Sequence, residues 1–218
     1  ASTVNQVASN RRVDRDASGR VRSMRDSACT DPTLIALPEG TIDPQLQTIA
    51  FYSDTERIVA CHHYATHPMS YYRDGRVTSD FCGLARKRRQ VEDPGCTHLY
   101  FTGCAGNIAA GKYNDGSPAA RAALTDRIYQ GIVEAESTLR PEPLRSIKWL
   151  ETTIGPSSRP VPSIASLGET VGGPTARQVG TILQAYWTTW QERTVPVPLQ
   201  CLQLNEHAML YLPGEMFI

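Results

Sequence analysis

Hydrophobic positions along this chain follow two different periods. Leu46 to Tyr52 and Ile58 to Tyr64 are runs rich in apolar and β-favouring residues, divided by the polar Ser53-Asp54-Thr55-Glu56-Arg57, and they predict a β-hairpin. Thr97 to Phe101, entered from Pro94-Gly95 and broken by Gly103, predicts a buried strand that delivers a loop. After Ser117-Pro118 the period lengthens, because Leu124, Ile128, Ile132 and Ala135 fall on one face of a helix. Ser117 is the expected N-cap and Pro118 the first helical residue, with Arg140-Pro141 as the stop. Ile147 to Ile154 reads as a strand, and Gly155 to Gly173 as a loop rich in Pro, Ser and Gly. Thr175 to Arg193 reads as a second helix, with Val179, Leu183 and Tyr186 on one face. Pro196 to Leu204 and Ala208 to Leu212 form a second hairpin through Asn205-Glu206-His207. Strand and helix signals alternate with no internal repeat and no linker, so the expected fold class is α/β: a single layered domain with a mixed β-sheet and flanking helices.

Composition narrows the function classes more than the fold. The 218 residues carry 22 Lys plus Arg against 22 Asp plus Glu, so there is no bulk positive field to gather nucleic acid. No apolar run approaches the roughly 20 residues that cross a bilayer, and Ala1 to Asp16 holds no signal-type apolar core. The six cysteines form no CxxC pair, which argues against a thiolate zinc site or a redox motif and for buried thiols.

Four stretches can carry chemistry. In His62-His63-Tyr64-Ala65-Thr66-His67-Pro68, three of the five histidines lie within six positions, and the proline forces the chain off its regular path at His67. On a strand His63 and His67 share a face, and a neutral imidazole at a strand end is a common zinc ligand. Core or surface histidines would give the same pattern. In Thr78-Ser79-Asp80, Asp80 is placed to cap a helix or to orient a ligand, and the following Arg86-Lys87-Arg88-Arg89 reads as a solvated helix end. The glycine-rich Gly103 to Gly116, with Asn107, allows close backbone approach and an oxyanion or anion contact, although a tight turn needing positive φ explains the glycines equally well. It is not a phosphate-binding P-loop, because Lys112 is followed by Tyr113 and the glycine spacing differs. Leu212-Pro213-Gly214-Glu215 puts a carboxylate just past a strand, where it can face a crevice.

The order of these pieces is similar to the amino-terminal catalytic region of the neutral/alkaline ceramidases. The resemblance is carried by Asn10-Arg11, Ala65-Thr66-His67-Pro68-Met69-Ser70, Ser79-Asp80 with Gly83, Gly106-Asn107-Ile108-Ala109 and Pro213-Gly214-Glu215. It implies that residues 1–218 are a partial catalytic domain, truncated at both ends, of a zinc-dependent amide hydrolase acting on a lipid or small-molecule amide. In that family two histidines, a glutamate and a tyrosine hold the zinc ion that activates the attacking water. By resemblance His67 is the second histidine ligand and Glu215 the carboxylate ligand, with the remaining two ligands expected outside the chain. Arg11 resembles the arginine that steadies the oxyanion, and Asn107 falls in the catalytic glycine loop. The family has an acidic residue and then a serine where this chain has Asn107 and Ala109, so that serine chemistry is absent. Zinc is the only cofactor implied, and a secreted or cell-envelope setting is favoured by the resemblance alone. Two other readings stay open: another metal-dependent amide or ester hydrolase of the same fold, and a non-catalytic binding homologue. A second histidine-containing segment upstream would favour an enzyme over a binding module.

Overall fold

The computed structural model describes residues 1–71, 74–155, 181–182, 185 and 196–218. The helix expected over Thr175–Arg193 and the loop over Gly155–Gly173 lie almost wholly outside them. The α/β expectation with a mixed sheet holds. Among the described residues the strands divide among four sheets, and the chain forms two compact units, Ala1–Glu142 with Glu215–Ile218, and Pro143–Gly214.

The first unit is built on a four-stranded sheet of β1 (Ser2–Thr3), β5 (Gln45–Ser53), β6 (Glu56–Tyr64) and β7 (Thr97–Thr102), in that spatial order. β1 and β5 pair antiparallel, as do β5 and β6, whereas β6 and β7 run parallel. The predicted hairpin is therefore present, tightened to a two-residue turn in which Asp54 takes φ +52. Asp tolerates that left-handed conformation better than most residues. Parallel neighbours need a crossover, and α2 (Asp80–Glu92) supplies it. α3 (Pro118–Ser137) packs against α2, β5 and β1. Its predicted stripe of Leu124, Ile128, Ile132 and Ala135 is fully buried, and the Ser117 side chain accepts from Ala120 N as the N-cap. The helix ends at Ser137, three residues before Arg140, because the Thr138 N–H and hydroxyl take the Ala135 carbonyl.

Two short strand pairs and a short helix frame the site. β2 (Ser9–Asn10) pairs with β8 (Ile108–Ala109), and β3 (Arg12–Arg15) pairs with β4 (Val21–Arg25). α1 (Pro32–Ala36) is capped by Asp31, and its carboxyl end is closed by Arg25, whose buried guanidinium donates to the carbonyls of Leu34, Leu37, Asn10 and Pro38. The second unit holds an antiparallel sheet in the order β11 (His207–Tyr211), β10 (Val197–Leu204), β9 (Ile147–Ile154). Its predicted hairpin turns on Asn205-Glu206, with Asn205 at φ +51.

Two expectations change. The basic run Arg86 to Arg89 is only in part a solvated helix end: Lys87 and Arg88 are exposed, with Arg88 3.7 Å from the Tyr129 ring centroid, whereas Arg89, in the last turn of α2, turns inward to pair with Asp93 and Glu136. An arginine there lays its apolar stem along the packed helix while its head group reaches a carboxylate. His63 and His67 do not share a face either, because β6 ends at Tyr64 and the His63 ring stacks on Phe101 at 5.1 Å. The thiol reading stands, with all six cysteines free and four of them buried. Among the described residues no helix is long and apolar enough to cross a membrane.

Candidate active site

The parallel pair β6 and β7 determines where side chains can converge. Chain leaving β6 runs through Ala65-Thr66 to His67, and chain leaving β7 runs through Gly103 to Asn107. Ligand sites in α/β folds lie in the crevice beyond the carboxyl ends of parallel strands. The expected site residues gather there.

His67 is fixed on both sides. Its backbone N–H donates to the Ile108 carbonyl at 3.2 Å, and its Nδ1 lies 2.9 Å from the same oxygen. A carbonyl can only accept, so Nδ1 carries the proton and Nε2 faces outward. Glu215 Oε1 sits 2.9 Å from that Nε2, and Arg11 Nη2 sits 3.5 Å from it. The turn after His67 is held from behind by Asp80, which accepts from the Ser70 backbone N–H, the Ser70 hydroxyl and Phe81 N–H. Asp80 is buried at φ +50 as the first residue of α2; the N-cap position falls to Ser79 and has no side-chain cap bond, so the expected cap is not formed, and the Asp80 carboxylate instead holds Ser70, three residues past His67.

Strand pairing explains why Arg11 meets Asn107. Asn10 pairs with Ile108, so the next residue outward on each strand is Arg11 or Asn107, and Arg11 N–H donates to the Asn107 carbonyl at 2.9 Å. The Arg11 side chain then reaches Asp26 at 3.3 Å and the Gly106 carbonyl at 3.4 Å. Arg12 points away, donating to the Pro38 carbonyl. Asn107 Oδ1 accepts from Ile218 N–H at 3.2 Å, and Gly106 N–H donates to the Met216 carbonyl at 2.9 Å. This clamps Glu215–Ile218 beside the loop. The glycines serve close approach rather than positive φ: a Cβ on Gly106 would lie 2.3 Å from the Phe217 ring, and one on Gly111 would lie 1.8 Å from the Asp26 carbonyl oxygen. Only Gly116 in this loop has a positive φ. Lys112 donates to the Ile35 and Leu37 carbonyls at 2.6 Å each, which leaves it no role with phosphate.

His67, Glu215, Arg11 and Asn107 are thus brought together, and His63 is not. Asp26, which the sequence did not flag, completes the cluster by orienting Arg11. It has no motif of its own and is placed by the carbonyls that bind Arg25 before it and by the close approach of Gly111.

An α/β scaffold with imidazole, carboxylate and guanidinium at the carboxyl ends of parallel strands is the class of protein these elements define. Two solved structures share the fold. Neutral ceramidase from Pseudomonas aeruginosa superposes with a TM-score of 0.56 at 13% identity, over 95% of this chain and 38% of that one. A ceramidase complexed with C2 gives 0.54 at 15% identity, over 79% of this chain and 36% of that one. The chain therefore spans well under half the length of either. The resemblance expected from the sequence is met at the level of the fold. No protein-family model matches the chain, and neither does any curated protein.

Proposed function

We propose that this chain carries part of the active site of a ceramidase-like, zinc-dependent amide hydrolase. The observation behind this reading is the meeting of two acceptor atoms. With its proton on Nδ1, His67 presents a lone pair at Nε2, 2.9 Å from a carboxylate oxygen of Glu215. Two such atoms at that separation call for a cation between or beside them; the Arg11 guanidinium lies 3.5 Å from Nε2 on one side, and a proton or a metal between the two atoms would complete the neutralisation. Nitrogen and oxygen donors of this type suit zinc. The chemistry zinc supplies when bound is an acidified water and a polarised carbonyl.

The chain's own residues supply the rest. Arg11, oriented by Asp26, offers N–H donors where negative charge develops on the amide oxygen. Asn107 positions both Arg11, through its carbonyl, and the Glu215 segment, through its side chain. Ala109, in the family's serine position, is buried in β8 with its carbonyl taken by Ser9 Oγ at 2.8 Å. No hydroxyl nucleophile is offered at that point, which favours a substrate or water geometry that differs from the family pattern and keeps a related amide or ester hydrolase as the second reading.

The deciding experiment is metal analysis of His67→Ala in the longest natural reading frame that contains this chain. Loss of one equivalent of zinc, with the fold retained by circular dichroism and with hydrolysis of an N-acyl amide lost, is the expected result. Unchanged zinc content and unchanged hydrolysis would refute the assignment. Chelators should abolish the activity and serine-directed covalent reagents should spare it.

A further inference from the structure

The run that ends at His67 holds another histidine whose ring points into the protein. His62 on β6 and His98 on β7 are both fully buried, and their rings stack with centroids 5.3 Å apart and planes 10° from parallel. His62 Nε2 lies 3.0 Å from His98 Nδ1. Glu136, in the last turn of α3, brings Oε1 to 3.3 Å from His98 Nδ1 and 3.7 Å from His62 Nε2. That carboxylate is 6% exposed, and its Oε1 receives no hydrogen bond. Its other oxygen takes Arg89 Nε at 2.8 Å and Arg57 Nη2 at 3.1 Å.

The outer ring nitrogens are also engaged. His98 Nε2 lies 3.4 Å from Asp93 Oδ2, and since an ionised carboxylate only accepts, the His98 proton is on Nε2 and its Nδ1 is a lone pair. His62 Nδ1 lies 2.9 Å from the Thr48 hydroxyl, which can accept its proton. Outer oxygens that hold the far nitrogen of an imidazole are the usual support of histidine metal ligands. Three donor atoms then face one point, with separations of 3.0, 3.3 and 3.7 Å. Tetrahedral zinc with bonds of about 2.0–2.1 Å sets its ligands about 3.3–3.4 Å apart.

We propose that His62 Nε2, His98 Nδ1 and Glu136 Oε1 form a buried binding site for a divalent transition-metal ion, zinc above all, separate from the His67–Glu215 pair. Such an ion would tie β6, β7 and the end of α3 together beneath the sheet's carboxyl rim. Asp93 and Cys96 adjoin the opposite nitrogen of His98, where Asp93 is already paired with Arg57 and Arg89, so they border the site and are not among its three proposed ligands. Arg57 and Arg89 already balance Asp93 and Glu136, so a bound ion adds uncompensated positive charge. Arg57→Gln should therefore tighten zinc at least about tenfold.

The test is a titration of the 218-residue chain, labelled with ¹⁵N at histidine, with Zn²⁺ alone. The expected result is a response of His62 Nε2 and His98 Nδ1, retained in His67→Ala and lost in His98→Gln. A response confined to His67, or a His62 Nε2 that keeps its proton towards His98 at every zinc concentration, would overturn the proposal in favour of a purely hydrogen-bonded pair. The unsubstituted chain gives that answer alone, so an unfolded variant cannot obscure it. The rim assignment can fail without touching this result, because His67→Ala is one arm of the experiment.

Discussion

Two imidazole–carboxylate centres draw on one histidine run, His62 for one and His67 for the other, and their surroundings separate their capacities. At the rim, the His67 side chain is 14% exposed and that of Glu215 is 73% exposed. In the interior, His62 and His98 are fully enclosed and Glu136 is nearly so. The same donor types therefore serve different ends. A carboxylate in water has paid little desolvation and is free to meet substrate or metal. A carboxylate in the interior must be neutralised on the spot, and Arg57 and Arg89 do this for Glu136. Arg11 is the rim counterpart of those arginines, 28% exposed and 3.3 Å from its partner Asp26.

The largest expected contrast is in stability. Glu136→Gln leaves Arg57 and Arg89 short of a buried counter-charge, and removal of one partner from a buried pair costs about 3–5 kcal/mol. Glu215→Ala, at an exposed site, should stay within about 0.5 kcal/mol of the parent. Urea denaturation of the two variants checks this. Equal losses would mean that the two centres are not divided into interior scaffold and open rim.

Next comes the effect on rate in the longest natural reading frame. Losing one oxyanion donor lowers kcat about 10²–10³-fold, so Arg11→Ala should lower kcat by this much with a smaller change in KM. Arg12→Ala is the control, since Arg12 lies against the Pro38 carbonyl and Gly40 on the other side of the strand. Steady-state amide hydrolysis at equal zinc content decides it. Near-parental kcat for Arg11→Ala, or matched losses in both variants, would take Arg11 out of the chemistry.

Much of this division was readable from the residues, and the unread part has a physical reason. Local signals located the hairpin, β7, α3 with its Ser117 cap, and the strands of the second unit, because each rests on periodicity or turn chemistry within a short window. The ordered features of the rim resemble a family, and that resemblance picked out Arg11, Asn107, His67 and Glu215 together. The interior centre has no local signature. His98 sits inside an ordinary apolar strand, and Glu136 is visible only as a carboxylate four residues past Ile132 on an otherwise apolar face. That spacing is a usable flag, since a charge on a buried helix stripe needs a partner. Its partners come from β6, β7 and α2, and only tertiary packing brings them together. Asp26 and Arg25 escaped notice for the same reason.

The smallest effect per step, and the one that addresses the interior centre most directly, is the pH dependence of stability. Burial first, then the His98 ring and the Arg57 guanidinium, hold His62 down to about 3. Burial also lowers His98, against the opposing pull of Glu136 and Asp93. An unfolded histidine titrates near about 6.5, so as pH falls the unfolded chain takes up these protons before the folded chain does. Their contribution is complete above about pH 6.5 and is lost progressively on acidification towards 3, at about 1.4 kcal/mol per pH unit for a single fully depressed histidine. Between pH 6.5 and 5 ordinary carboxylates stay ionised, so the slope there reports mainly on histidines. Urea midpoints in that window, taken with a chelator present, should fall more steeply for the parent than for His62→Gln. With zinc at saturation the parent's midpoints should rise as a whole while the slope stays nearly the same, because the folded imidazoles are already neutral in this window and no proton has to leave for the ion to bind. A His62→Gln profile parallel to the parent's would mean that the folded chain protonates His62 as readily as the unfolded chain does. The buried pair would then be no reservoir of neutral imidazole, and the interior centre would lose the feature that sets it apart from the rim.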